Sequence, residues 1–140
     1  MAIWQVPVNL SSRKVITKRT EEIMLNSLKR LAEVFPKEKS WCNSIMQYGA
    51  LDSTCLEIDT ESRRFDADLR IDVRTITMDQ LRIIANFANE NDLKVKYKKK
   101  VYEPTVDVFV NIIRESDANR FATKPEEFLD GIAKKKKHIE

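Results

Sequence analysis

Seven charged side chains fall in two neighbouring stretches of the sequence: Glu57 and Asp59, then Asp66, Asp68, Arg70, Asp72 and Arg74. Carboxylates gathered this way can do two kinds of chemistry. They can hold a hard cation through oxygen ligands, or act as a general acid and base. Asp66, Asp68 and Asp72, at i, i+2 and i+6, have the spacing for either if they share one face of a strand. Arg70 and Arg74 interrupt that row, and Arg64 lies just before it. Guanidinium groups would cancel the charge that a cation needs and would pair the carboxylates instead. The row therefore reads as an ion-paired, solvated sheet face. No catalytic residue, metal ligand or cofactor site is assigned, and all seven become candidate partner-binding residues.

A second charged set is Lys94, Lys96, Lys98, Lys99 and Lys100. It could touch phosphate, but lysines also guard sheet edges against unwanted pairing. Aromatic residues do not interleave with it as a single-strand nucleic-acid surface requires, since Tyr97 alternates to the opposite side. Gly49 is isolated, so there is no glycine-rich phosphate loop. Cys42 and Cys55 lack metal-like spacing, and the single histidine, His138, stands in the basic tail, far from both in sequence. Neither thiol has a base with which to form a nucleophilic pair. A disulfide or two thiols in a reducing compartment both fit, the second better. Trp41 and Tyr48 are either core residues or interface anchors, where such aromatics are enriched, and they stand as secondary partner-binding candidates.

What must position these residues is a strand. From Phe65 to Arg74 the sequence alternates without a break, apolar at odd numbers and charged at even ones. Strand side chains alternate between faces, so Phe65, Ala67, Leu69, Ile71 and Val73 should face a core and the charges should face away. A slip of one residue would bury five charges. Thr54–Thr60 reads as the preceding strand, with Leu56 and Ile58 inward and Cys55, Glu57 and Asp59 outward; the polar turn after it makes a hairpin.

Around that hairpin, Ile3–Leu10 reads as a first strand. Pro7 argues for an edge position, because proline cannot donate to a ladder. Thr20 should open a helix that ends before Pro36, and Lys37–Gly49 reads as a packed connection. Thr77-Met78-Asp79-Gln80 has the capping-box pattern and starts a second helix. Leu93, Val95 and Tyr97 alternate with lysines as another strand, which Val101 and Tyr102 continue or return. Pro104 and Thr105 start a third helix. After a break over 116–122, Thr123-Lys124-Pro125-Glu126 starts a last short one carrying Phe128, Leu129 and Ile132. The order β-α-β-β-α-β plus C-terminal helices predicts an α+β domain over 1–133. Its sheet should be four-stranded and mainly antiparallel, ferredoxin-like, with helices on one face. Residues 134–140 should form a disordered basic tail.

The formal charge of +3 is concentrated at that tail. Lys134–Lys137 take four of the 25 basic residues and Glu140 one of the 22 acids, leaving 21 of each in the body. A neutral body is a poor footprint for general nucleic-acid binding. No stretch approaches the ~20 apolar residues of a membrane span, and Met1–Val6 lacks a signal-peptide pattern. The reading is a cytoplasmic protein.

Gln47-Tyr48-Gly49, Leu69–Arg74, Tyr102-Glu103-Pro104, Ile113 with Ser116–Phe121, Pro125 and Phe128-Leu129 form a recurring pattern. Over roughly residues 41–130 it resembles small uncharacterised bacterial proteins, some of which look like immunity proteins of toxin–immunity systems. The motifs are mainly structural, and no catalytic residue is carried over. The resemblance implies a non-enzymatic module that occludes a cognate bacterial toxin domain. Immunity proteins against nucleases are often strongly acidic, and this neutral body departs from that. The alternative is a nucleic-acid or nucleotide-binding module using the lysines and the tail. A hydrolase built on the carboxylate row comes third.

Overall fold

The structure, a computed structural model, describes residues 1–123. Its elements in order are β1 (Gln5–Val15), α1 (Lys18–Leu31), β2 (Lys37–Glu38), β3 (Ile45–Tyr48), β4 (Cys55–Asp59) and β5 (Arg64–Asp72). They are followed by α2 (Met78–Glu90), β6 (Lys94–Tyr97), β7 (Lys100–Tyr102), α3 (Val106–Glu115) and α4 (Asp117–Thr123). The strands form one seven-stranded sheet in the order β2-β3-β4-β5-β1-β6-β7. The class is α+β, but the expected four-stranded sheet is overturned. The sheet has seven strands, every pair is antiparallel, and the four expected ones stand inside it in the order β4-β5-β1-β6. The three added strands come from Lys37–Gly49, read as a connection, and from Lys100–Tyr102, which returns along β6 as its own strand.

The organising pair is β1 and β5, in register from Gln5↔Asp72 to Ser11↔Asp66. Their inward residues, Val6, Val8 and Leu10 with Phe65, Ala67, Leu69 and Ile71, are buried among residues from α1, α2 and α3. Each large aliphatic side chain removed from water there stabilises the fold by roughly 1.5–3 kcal/mol. Phe65 meets Phe87 of α2 edge-on, with ring centroids 5.8 Å apart. Leu28, Leu31 and Phe35 fill the core from the α1 side.

β1 is interior despite Pro7, and the hydrogen-bond pattern explains why. The Trp4 carbonyl accepts from the Val73 N–H, so even-numbered residues of β1 bond to β5 and odd-numbered ones turn toward β6. β6 pairs with β1 only over Asn9–Ser11. Pro7 therefore faces the point where β6 has already turned away at Lys98 and Lys99. Its missing N–H leaves no ladder bond unmade.

Local signals account for the helices. Thr17, not Thr20, caps α1; Thr20 sits three residues on and completes a capping box. Thr77 and Gln80 do the same for α2, and Thr105 caps α3. The expected break over 116–122 is instead a turn at Ser116 followed by α4. The Thr123–Glu126 capping pattern continues past the described residues. Phe128, Leu129 and Ile132 and the tail over 134–140 lie outside them.

Candidate functional site

The helices of the core cluster cover one face of the sheet. The opposite face carries the odd residues of β1, the even residues of β5 and the odd residues of β4. One row runs straight across all seven strands: Glu38, Gln47, Glu57, Asp68, Asn9, Lys96 and Val101. The predicted charged residues mostly lie on this face, but they do different things there.

Asp66 and Asp68 are exposed, and both accept from the Asn9 side-chain amide, at 2.8 and 3.2 Å. Asn9 is the polar side of the same alternation that buries Val8 and Leu10. Arg70 is half-buried and reaches Glu57 at 3.0 Å. Glu57 was expected outward and wet, yet it is only 8% exposed. Its other oxygen accepts from the Trp41 indole N–H at 2.7 Å. Both oxygens of Glu57 are thus engaged within the chain, one by Arg70 and one by Trp41. Trp41 itself is 68% exposed. Its ring is thus fixed at one end to a buried carboxylate and open to water over the rest.

Asp72 departs further from expectation. It points away from the core but is completely buried, because Arg74 and the chain around Thr54 close over it. Arg74 donates to Asp72 from its backbone N–H, from Nε and from a terminal guanidinium nitrogen at 2.9–3.1 Å. The Asp72 N–H donates to the Thr54 hydroxyl. Burial works to raise the Asp72 pKa, but the hydrogen bonds and charge of Arg74 hold it below the ordinary carboxylate value. Arg74, beyond the strand end, stacks on Trp4 at 3.8 Å from the ring centroid. The Trp4 indole N–H donates to the Asp52 carbonyl, and the Gln5 amide donates to the Leu51 and Ser53 carbonyls. The segment 51–54 is thereby tied over this end of the face.

Asp59 is exposed, and one of its oxygens accepts from the Glu61 N–H in the hairpin turn. Tyr48 lies on the inner face opposite Leu56 and is buried, so it is core and not an anchor. Cys55, expected outward, is fully buried. Burial, with Glu57 adding and Arg70 opposing, pushes its thiol up to about 11. Cys42 and Cys55 are both free. Among the described residues, no group of three or more His, Cys, Asp or Glu is arranged to hold a metal ion. Sequence reasoning missed Gln5, Asn9, Trp4 and Thr54. The alternation of β1, with Gln5, Pro7, Asn9 and Ser11 opposite its apolar residues, is the signal that places the first two.

Away from this face, a groove of about 410 Å³ runs beside the N-terminal half of α1, lined by Val15, Ile16, Met24, Leu25, Met46 and Phe65 among others. Of the seven predicted charged residues only Asp59 touches it. Among the described residues no helix is long and apolar enough to cross a membrane. No protein-family model matches this chain, and no curated protein and no solved structure matches it.

Proposed function

We propose that this chain is a non-enzymatic binding module that engages another protein through the sheet face around Trp41, opposite the helices of the core. Its partner, on this reading, is a bacterial toxin domain that it occludes in the manner of an immunity protein acting in the cytoplasm. One observation carries the binding reading. An aromatic ring 68% exposed is held in place by a buried carboxylate that is itself paired with Arg70. Aromatic and arginine anchors dominate interface energetics, and a ring fixed before binding loses less freedom on association. Asp66 and Asp68 beside it supply charge for steering and register. The toxin class rests on the resemblance over residues 41–130.

The alternative, a nucleic-acid module, has one observation in its favour. Lys96, Lys98, Lys99 and Lys100 form no ion pair with a carboxylate among the described residues. The test co-expresses this chain with the product of the gene adjacent to its own. Growth arrest by that product should be relieved by the parent chain and not by Trp41→Ala at equal abundance. Equal protection by the variant would remove Trp41 from the interface. Absence of any toxicity, together with salt-dependent binding of DNA or RNA, would replace the reading with the alternative.

A further inference from the structure

We infer that this face also pairs with a second copy of the chain, in a two-fold dimer whose axis runs along β1. The inference goes beyond the proposed function but uses the same surface, so dimer and foreign complex would exclude one another. It rests on the row of residues across the sheet. Counting outward from Asn9 on β1, the next residue is Asp68 on one side and Lys96 on the other. The residue after that is Glu57, beneath Trp41, on one side and Val101 on the other. The row is therefore opposite in character about β1, acid against base and aromatic against aliphatic.

A two-fold axis parallel to β1 exchanges the two sides. It lays β5 of one copy over β6 of its partner, and β4 over β7. Asp68 then faces Lys96 twice in each dimer, and Trp41 faces Val101 twice. Both apolar residues are among the most exposed large hydrophobic side chains of the described residues, at 68% and 57%, and Lys96 forms no ion pair with a carboxylate among the described residues. Such self-complementarity is what an isologous interface requires, and stacked sheets pack face to face with their strands roughly aligned. The overlap spans five strands, about 19 Å from the first to the last at the usual strand spacing. That is small for a permanent dimer, so the association should be reversible and concentration-dependent.

The test is sedimentation of the whole chain over roughly 10–500 μM, a range suited to weak complexes. The parent should shift from monomer to dimer, less so as salt rises. Asp68→Lys and Lys96→Asp should each weaken self-association by about tenfold or more, through two like-charge contacts per dimer. Mixing the two variants should restore a dimer, because every cross-contact is again a lysine opposite an aspartate. One chain carrying both changes should dimerise by itself. Both sites are exposed, and circular dichroism checks folding; Asp68→Asn and Lys96→Gln serve if a reversal unfolds the chain. A parent that stays monomeric overturns the inference, as do single variants that dimerise normally or a mixture that does not recover. Any of these leaves the foreign-partner reading standing, since that is scored on protection and not on self-association.

Discussion

At the scale of the residue, the two faces of a strand were legible, but depth was not. Asp72 sits at an outward position and is nevertheless sealed by Arg74, and its burial depends on a loop that no strand period describes. Its folded pKa lies below the value of about 3.8 for a free carboxylate. A depressed carboxylate contributes stability that is present above the unfolded pKa and is lost as pH falls through the folded one. Asp72→Asn should therefore lower stability near neutral pH by about 1–3 kcal/mol, as a hydrogen-bonded buried group is weakened. It should also flatten the acid limb of the stability curve below about pH 4. An unchanged acid limb in urea titrations run at pH 3 and pH 7 would count against the assignment. Cys55 offers a second check. With its thiol pushed up to about 11 and fully buried, it should resist iodoacetamide at pH 8 in the native protein while half-buried Cys42 reacts. Mass spectrometry showing Cys55 labelled first would contradict this.

At the scale of the element, turns expose what the sequence concealed. Lys98 and Lys99 both have positive φ, 47° and 66°, as the central pair of a tight hairpin between β6 and β7. Such turns favour Asn-Gly, because a Cβ crowds the following carbonyl oxygen at positive φ; glycine has none, and the short Asn side chain hydrogen-bonds locally. Replacing the pair by Asn and Gly should stabilise the protein by about 1–2 kcal/mol, and a lower melting temperature would refute the turn. Gly49 shows the opposite constraint. At φ 83°, an added Cβ would lie 2.2 Å from the Thr54 carbonyl oxygen, so Gly49→Ala should destabilise and no side-chain motion can relieve it. The Phe65–Arg74 strand was legible because five apolar and five charged residues alternate there, and a register slip is prohibitive. β2 and β3 were not, because β2 is only two residues long and Lys37–Tyr48 carries no period of its own. β1 was cut short and expected at an edge because a sequence shows that Pro7 lacks a donor, and not which neighbour that donor would have met. The α1 cap was displaced by three residues because Thr17 and Thr20 are interchangeable in composition and differ only in geometry.

At the scale of the whole molecule, the α+β class followed from pattern, while the size of the sheet required the fold. Every strand added to the expected four lies outside them, β2 and β3 beyond β4 and β7 beyond β6, so the central hairpin and β1 stand where the alternation places their cores. The wider sheet matters for function, because it separates an acidic half over β4 and β5 from a basic half over β6 and β7. The central claim is that the face around Trp41, Asp66 and Asp68 is where this chain meets a protein. The most direct measurement is calorimetric titration of the adjacent gene's product into the parent chain, into Asp66→Lys/Asp68→Lys, and into Arg82→Glu on the exposed side of α2. Asp72, being buried, is left unaltered. The double reversal should keep its circular dichroism yet weaken binding by about 2 kcal/mol or more through like-charge contacts and lost pairing, while Arg82→Glu binds as the parent does. Equal affinity for parent and double reversal, or a loss confined to Arg82→Glu, would contradict the account.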